Sequence, residues 1–177
     1  MVSPFGELAV RSATLEDAPC LRALRNELAR WMRRKGIQQW LPGEVSVEWI
    51  ELCILCGVVD VVSHDDRLVG SVTVVWDDPS IWGKQSEPAG YIHMLMLDRS
   101  FAGYGIGRSI LESAERSIRA TGRALARLDC PEGNLMLRSY YEAVGYTFVE
   151  SRALPHIEGA SVAALYEKPL AGDAPRD

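Results

Sequence analysis

The chain has 177 residues, 47% of them hydrophobic and 24% charged, with a formal net charge of −5, a composition that suits one compact soluble domain with a substantial core. That balance excludes a dedicated nucleic-acid binder, which shows a basic face or tract, and no apolar run approaches the ~20 residues of a membrane-spanning helix. Mild acidity is compatible with an amine-bearing substrate, though it is common among soluble domains.

Met1 to Val10 lacks a basic start followed by an apolar core, so no secretory leader is read there and a cytoplasmic protein is expected. Cys53 and Cys56 resemble half a metal site, but no second Cys/His pair at ligand spacing accompanies them, and His64, His93 and His156 stand apart. The expectation is no metal, with Cys20, Cys53, Cys56 and Cys130 as buried free thiols. No repeat and no linker divides the chain, so residues 1–177 are read as one domain with a core of about 7–169 and a disordered tail over 171–177.

Glu7–Ser12 alternates enough for a first strand. Asp17 is the expected N-cap of a helix with Pro19 in its first turn and Leu21, Leu24, Leu28 and then Trp31 or Met32 on its apolar face. Its many arginines, Arg25 among them, read as a solvated face, and Gly36 as the stop. The loop Ile37–Gly43 carries Gln38, Gln39 and Trp40, groups suited to binding, although Trp40 equally suits a plug at one end of the core. Ser46–Cys56 is a short helix capped by Ser46, with Trp49, Ile50 and Leu52 to Leu55 expected to face inward.

Val58–Ser63 and Leu68–Trp76 flank the polar turn His64-Asp65-Asp66-Arg67, which predicts a hairpin, with a bulge at Gly70. Asp77–Pro88 reads as a loop able to cover a site; Trp76 and Trp82 are placed to reach an acceptor, with packing in the core the equal alternative for Trp76. Tyr91–Leu97 is a fourth strand. A turn with Gly103, Gly105 and Gly107 follows, then a helix with Ile106, Ile110, Leu111, Ala114 and Ile118 on one face and Arg108, Glu112, Glu115 and Arg119 elsewhere. Arg123–Cys130 is a fifth strand, Asn134 opens another helix that Gly145 ends, and Tyr146–Glu150 and Ser161–Lys168 are the last two strands.

Strand, glycine loop and helix together make a cradle for a pyrophosphate, because first-turn amides have no intrahelical partner and the dipole favours an anion. A nucleotide P-loop needs Lys-Ser/Thr after its last glycine, whereas Arg108 and Ser109 follow Gly107, and the dinucleotide fingerprint fails on spacing. The stretch resembles the acyl-CoA-binding motif of the GNAT N-acyltransferase superfamily, Arg/Gln-x-x-Gly-x-Gly/Ala. Gly105 and Gly107 fill its small positions and Ala102 replaces the Arg or Gln. A second stretch, Asn134 followed by Tyr141, Glu142, Gly145 and Tyr146, resembles the same superfamily's Asn-x-x-Ala-x-x-Leu-Tyr-Glu-x-x-Gly-Phe pattern, with Leu137 and Tyr140 departing from it.

The resemblance implies an α/β (α+β) fold: a mixed, mostly antiparallel sheet of about seven strands with helices on both faces and a splay between strands 4 and 5. It implies acetyl-CoA as co-substrate, held by the backbone of Leu95, Met96 and Leu97, by the loop Gly103, Tyr104, Gly105, Ile106, Gly107 and Arg108, and by Asn134. Tyr141 is implied as the proton donor to the coenzyme A sulfur, with packing onto the sheet as its plain alternative. For the base, His93 falls on the strand face shared with Tyr91 and Leu95 if that strand is regular, and its ordinary pKa of ~6.5 suits proton removal; Glu48 or Asp129 acting through water stays open. Gln38, Gln39, Trp40 and Trp76 are candidates to meet the acceptor, a small-molecule or peptide amine. No nucleic acid and no membrane is expected as a partner, and a homodimer is compatible. A domain that binds acyl-CoA as a sensor or scaffold without turnover is the alternative.

Overall fold

The computed structural model describes residues 8–154 and 162–170; the expected tail over 171–177 lies outside them. In chain order the elements are β1 (Ala9–Ser12), α1 (Ala18–Arg34), α2 (Val47–Cys56), β2 (Val58–His64), β3 (Arg67–Val75), the one-turn helix α3 (Pro79–Trp82) and β4 (Ala89–Leu97). They continue with α4 (Ile106–Ala120), β5 (Leu125–Pro131), α5 (Leu135–Ala143), β6 (Thr147–Ala153) and β7 (Val162–Pro169). Seven strands form one sheet in the order β1-β2-β3-β4-β5-β7-β6. Every neighbouring pair is antiparallel except β4 and β5, which are parallel. This is the mixed, mostly antiparallel fold expected from the sequence. Among the described residues no helix is long and apolar enough to cross a membrane.

Period-2 alternation in the strands divides the core into two faces. On one face α4 buries Ile106, Ile110, Leu111, Ala114 and Ile118 against Val62, Val72, Val74, Ile92, Ala126 and Leu128, each large side chain contributing about 1.5–3 kcal/mol. On the other, Leu21, Leu24 and Leu28 of α1 and Ile50 of α2 cover Val59, Val61, Met94 and Met96. A third cluster on that second face gathers Trp82, Tyr91, Leu154 and Leu165. The β2–β3 hairpin turns on Asp65 and Asp66, at φ 47° and 61°, the left-handed pair that a tight two-residue turn requires.

Several local expectations are corrected. Asp17 precedes α1 without capping it. Its carboxylate instead accepts from Thr14 N at 2.8 Å and from both Arg11 Nη atoms at 2.7 Å, which closes the preceding 3-10 turn. Arg25 is buried rather than solvated, donating to Glu44 at 2.8 Å. Ser46 does cap α2, accepting from Trp49 N at 3.1 Å, but only Ile50 of that helix is buried; Trp49, Leu52 and Leu55 are exposed. Glu115 is buried among the apolar residues of α4 because Lys168 of β7 reaches both its oxygens at 2.9 Å. The thiols are not uniformly buried: Cys20 and Cys56 are exposed.

Two irregularities shape the centre of the sheet. In the β2–β3 ladder Val62 faces Gly70 and Ser63 faces Leu68, so the extra residue is Val69, beside the glycine expected to mark it. In β4, Thr73 faces His93 and Ser71 faces Met96, so Met94 and Leu95 stand against Val72 alone. Met94 has φ 46°, a strained backbone for a non-glycine residue, and its carbonyl takes a bond from Ser71 Oγ at 3.4 Å. The extra residue inverts the alternation. His93 shares its face with Tyr91, Met94 and Met96, while Leu95 and Leu97 pack on the α4 face. The regular-strand expectation that put His93 beside Leu95 is therefore wrong, for a local reason that periodicity does not encode. The β4–β5 ladder stops at Ile92↔Leu128, and beyond it the two strands part.

Candidate active site

Where β4 and β5 part, a cavity of about 660 Å³ opens on the face covered by α1 and α2. Its floor is Thr73, His93 and Asp129 from β3, β4 and β5; Asp78 comes from the loop before α3, and the opposite wall carries Arg25, Gln39, Trp40 and Glu44. Each floor residue is aimed by strand alternation. Leu128 and Cys130 point to the α4 face, so Asp129 between them points to the cavity. Asp78 is fixed by its second role, accepting from Ile81 N at 3.2 Å as the cap of α3.

His93 stands between two carboxylates, with Nε2 3.2 Å from Asp78 Oδ2 and Nδ1 3.9 Å from Asp129 Oδ1. Burial alone would lower its pKa, but the Asp78 contact and the charges of Asp129 and Asp78 outweigh burial and raise it. The Asp129 carboxyl is also raised, by burial first, with the His93 charge opposing and the Asp78 charge adding. One ligand atom from each of Asp78, His93 and Asp129 lies within 4.8 Å of the others, a spacing open to a divalent ion. The carboxylates face opposite nitrogens of the ring, however, an arrangement that holds and passes a proton.

The remaining candidates separate. Gln39 and Trp40 line the cavity; Gln38 is exposed and does not. Trp76 lies on the α4 side of the sheet under the Arg123 guanidinium, 4.5 Å from its ring, and Trp82 is buried against Tyr91, so neither tryptophan reaches the acceptor space. Glu48 is exposed, its carboxylate engaged by its own backbone and Ser46 at the start of α2, while Asp129 is in the cavity. Asp78, Thr73 and Arg25 carry no motif in the sequence. The acidic start of the Asp77–Pro88 loop was the one available signal for Asp78.

On the opposite face the glycine loop leads into α4. Gly103 and Gly105 have φ 89° and 79°, and a side chain at either would project into open space. Both Arg108 N and Ser109 N bond to Gly105 O, while the amides of Ile106 and Gly107 precede any helical acceptor. Tyr104 and Arg108 are exposed at the rim, Arg108 donating to Glu112 at 2.9 Å. The open loop, the positive helix end and the rim cation fit a pyrophosphate. Leu95, Met96 and Leu97 lie beyond the last β4–β5 pair, which frees that edge of β4. Asn134 Oδ1 accepts from Leu137 N at 3.2 Å and so caps α5. Tyr141 is buried on the inner side of α5, its ring centroid 6.1 Å from that of Tyr166. Its hydroxyl pKa is raised by burial and by the nearby Cys130 and Asp129.

Residues 22–146 match the acetyltransferase (GNAT) family. A Bacillus subtilis protein named as the uncharacterized N-acetyltransferase YesJ is 33% identical over 150 residues, covering 80% of this chain and 82% of that one. The chain belongs to the GNAT acetyltransferase family. A GNAT-family acetyltransferase from Listeria monocytogenes superimposes with a TM-score of 0.74 at 26% identity, covering 92% of this chain and 95% of the other. The PaiA N-acetyltransferase of Thermoplasma acidophilum, solved with coenzyme A, shares the fold at 18% identity, with a TM-score of 0.72 and coverage of 92% and 99%. The seven-stranded sheet with its parallel β4–β5 pair is thus the fold this acetyltransferase shares with those proteins.

Proposed function

We propose that this acetyltransferase moves an acetyl group from acetyl-CoA to the amine of a small molecule or peptide, by direct attack while both are bound. The observation that carries the reading is the division of labour across the sheet. The phosphate cradle and Tyr141 lie on the α4 face, the acidic cavity lies on the other, and the gap between β4 and β5 joins them.

Bound in that gap, acetyl-CoA supplies an acyl carbon activated by a thiol leaving group. Gly103 to Arg108 hold the pyrophosphate end with backbone amides and the α4 dipole. Leu95, Met96 and Leu97 present freed backbone groups to the pantetheine arm, and Leu95 N–H is the donor for the thioester oxygen. Asn134 contributes by fixing the start of α5, its amide nitrogen being the group left for the cofactor side.

The carboxylates of Asp78 and Asp129 attract an ammonium to His93. His93 takes a proton from it, directly or through water, and Asp78 steadies the imidazolium that forms. The amine nitrogen then bonds to the acyl carbon as the carbon–sulfur bond breaks, and it releases its second proton to water, matching the one Tyr141 then gives to the sulfur and regains from solvent. Tyr141 returns a proton to the sulfur; burial keeps its hydroxyl protonated until the thiolate forms. No protein nucleophile is required, and the thiols on either side are poor ones, since burial pushes Cys53 of the cavity wall up to about 11, and burial and then Asp129 push Cys130 up to about 12. Thermal shift with coenzyme A, followed by thiol release from acetyl-CoA with a panel of amines, tests the reading. Stabilisation by coenzyme A with no thiol release on any amine would leave a binding module in its place.

A further inference from the structure

Three side chains that line the acceptor cavity carry a buried polar atom with no hydrogen-bond partner among the described residues: Arg25 Nη1, Gln39 Oε1 and Thr73 Oγ1. Buried polar atoms are seldom left so, because each loses its water without a replacement. Three around one cavity describe the hydrogen-bonding outline of what fills it. They also sort by position. Thr73 faces His93 across the β3–β4 ladder, and Asp78 touches the same imidazole, so the floor offers acceptors and negative charge. The wall offers the opposite.

Arg25 is only 5% exposed, yet a guanidinium cannot shed its charge. Glu44 takes Nη2 at 2.8 Å, and the Trp40 ring lies 5.0 Å from the guanidinium carbon. The two N–H groups of Nη1 remain. The same oxygen, Glu44 Oε2, also accepts from Leu41 N at 3.2 Å. A second ammonium at this end would meet a fixed cation whose charge Glu44 already neutralises in part. An anionic oxygen would instead complete the fork.

We propose that the acceptor is an aminocarboxylate, its amine at Asp78, His93 and Asp129 and its carboxylate on Arg25 Nη1. This rests on the transferase reading above. Apolar walls at Trp40, Val75, Ile81, Met94 and Leu154 line the space between these ends, so the body of the molecule is hydrocarbon or aromatic. Trp40 holds the guanidinium plane and is a positioning residue for the carboxylate.

Thiol release from acetyl-CoA is to be measured with phenylalanine, 4-aminobutanoate and 6-aminohexanoate, each beside its primary amide and the amine lacking the carboxyl group. In at least one series kcat/KM should fall roughly 10- to 100-fold when the carboxylate is neutralised or removed, the range expected for a charged hydrogen bond, and chiefly through KM. In an Arg25→Gln, Glu44→Gln double variant, which leaves no unpaired charge behind, that ratio should collapse toward one. A thermal shift with coenzyme A present should rank the same acceptors in the same order. Equal or faster turnover of the decarboxylated amines, or of a diamine such as 1,4-diaminobutane, overturns the proposal while leaving the transferase intact. Coenzyme A binding with no thiol release from any acceptor overturns both.

Discussion

His93 illustrates how neighbours decide what a residue can do. Its position and its ordinary pKa are both readable in the sequence, but Asp78 is not, and Asp78 and Asp129 together raise the imidazole pKa. The base form therefore appears only above the usual range of ~6.5. The rate kcat/KM should rise with pH through an ionisation above that value, and His93→Gln should remove this limb and cost roughly a hundredfold in rate. Repeating the profile with amines of different basicity separates enzyme from substrate: a limb that moves with the amine belongs to the amine. A folded His93→Gln enzyme with an unchanged profile would transfer the role to Asp129. Tyr141 was singled out by its motif, with packing onto the sheet as its alternative, and the structure buries it on the α4 face. Tyr141→Phe should lower kcat by roughly a hundredfold while coenzyme A affinity is nearly kept, because the thiolate needs its proton only along the reaction path. Equal turnover would leave Tyr141 as packing.

Elements were more legible than the joints between them. The 3.6-residue period of α4 gave both the element and its buried face. The bulge at Met94 was invisible, because it depends on how β4 registers against β3, and it turns Leu95 and Leu97 onto the α4 face while His93 keeps the face of Tyr91. Arg25 and Glu115 were misread for a related reason: a charge on an apolar face looks solvated until a distant strand or loop brings Glu44 or Lys168 to it. Helix α4 carries two tests. Gly107 is inside the helix, and a Cβ there would come no nearer than 3.8 Å to Tyr140 OH. Gly107→Glu should thus fold normally yet weaken coenzyme A at least tenfold by placing an anion in the cradle; an unchanged affinity would mean that the cradle lies elsewhere. At Gly90 of β4 a Cβ would sit 2.3 Å from Ile118 Cγ1. Gly90→Ala should cost about 1–3 kcal/mol, read as a lower melting temperature.

At the N-terminal edge of the sheet the Arg11–Asp17 pair makes stability depend on pH. The Arg11 hydrogen bond, foremost, holds Asp17 at about 2, below its unfolded value of about 3.9. A depressed carboxylate stabilises the fold above the unfolded value and loses that contribution as pH falls through the folded one. Asp17→Asn should therefore flatten the acid limb between those values and cost about 1 kcal/mol at neutral pH, Arg11 being half exposed. Chemical denaturation at pH 7 and pH 3 reads both effects; equal slopes in the two proteins would contradict the pairing.

For the molecule as a whole, one sheet separates two half-sites and one gap joins them. Sequence motifs pointed to the proposed coenzyme A half, since backbone cradles need glycine at fixed spacings. The acceptor half is built from side chains far apart in the chain, and no local pattern announces it. The central claim is that acetyl passes straight through the gap to an amine, without a stop on the protein. Rapid-mixing thiol release at enzyme concentrations comparable to acetyl-CoA tests it most directly. Without acceptor, no thiol should appear; on adding an amine that turns over, thiol and N-acetylated product should form one for one. A burst of thiol equal to the enzyme before any amine is added, with an acetylated protein by mass spectrometry, would contradict direct transfer.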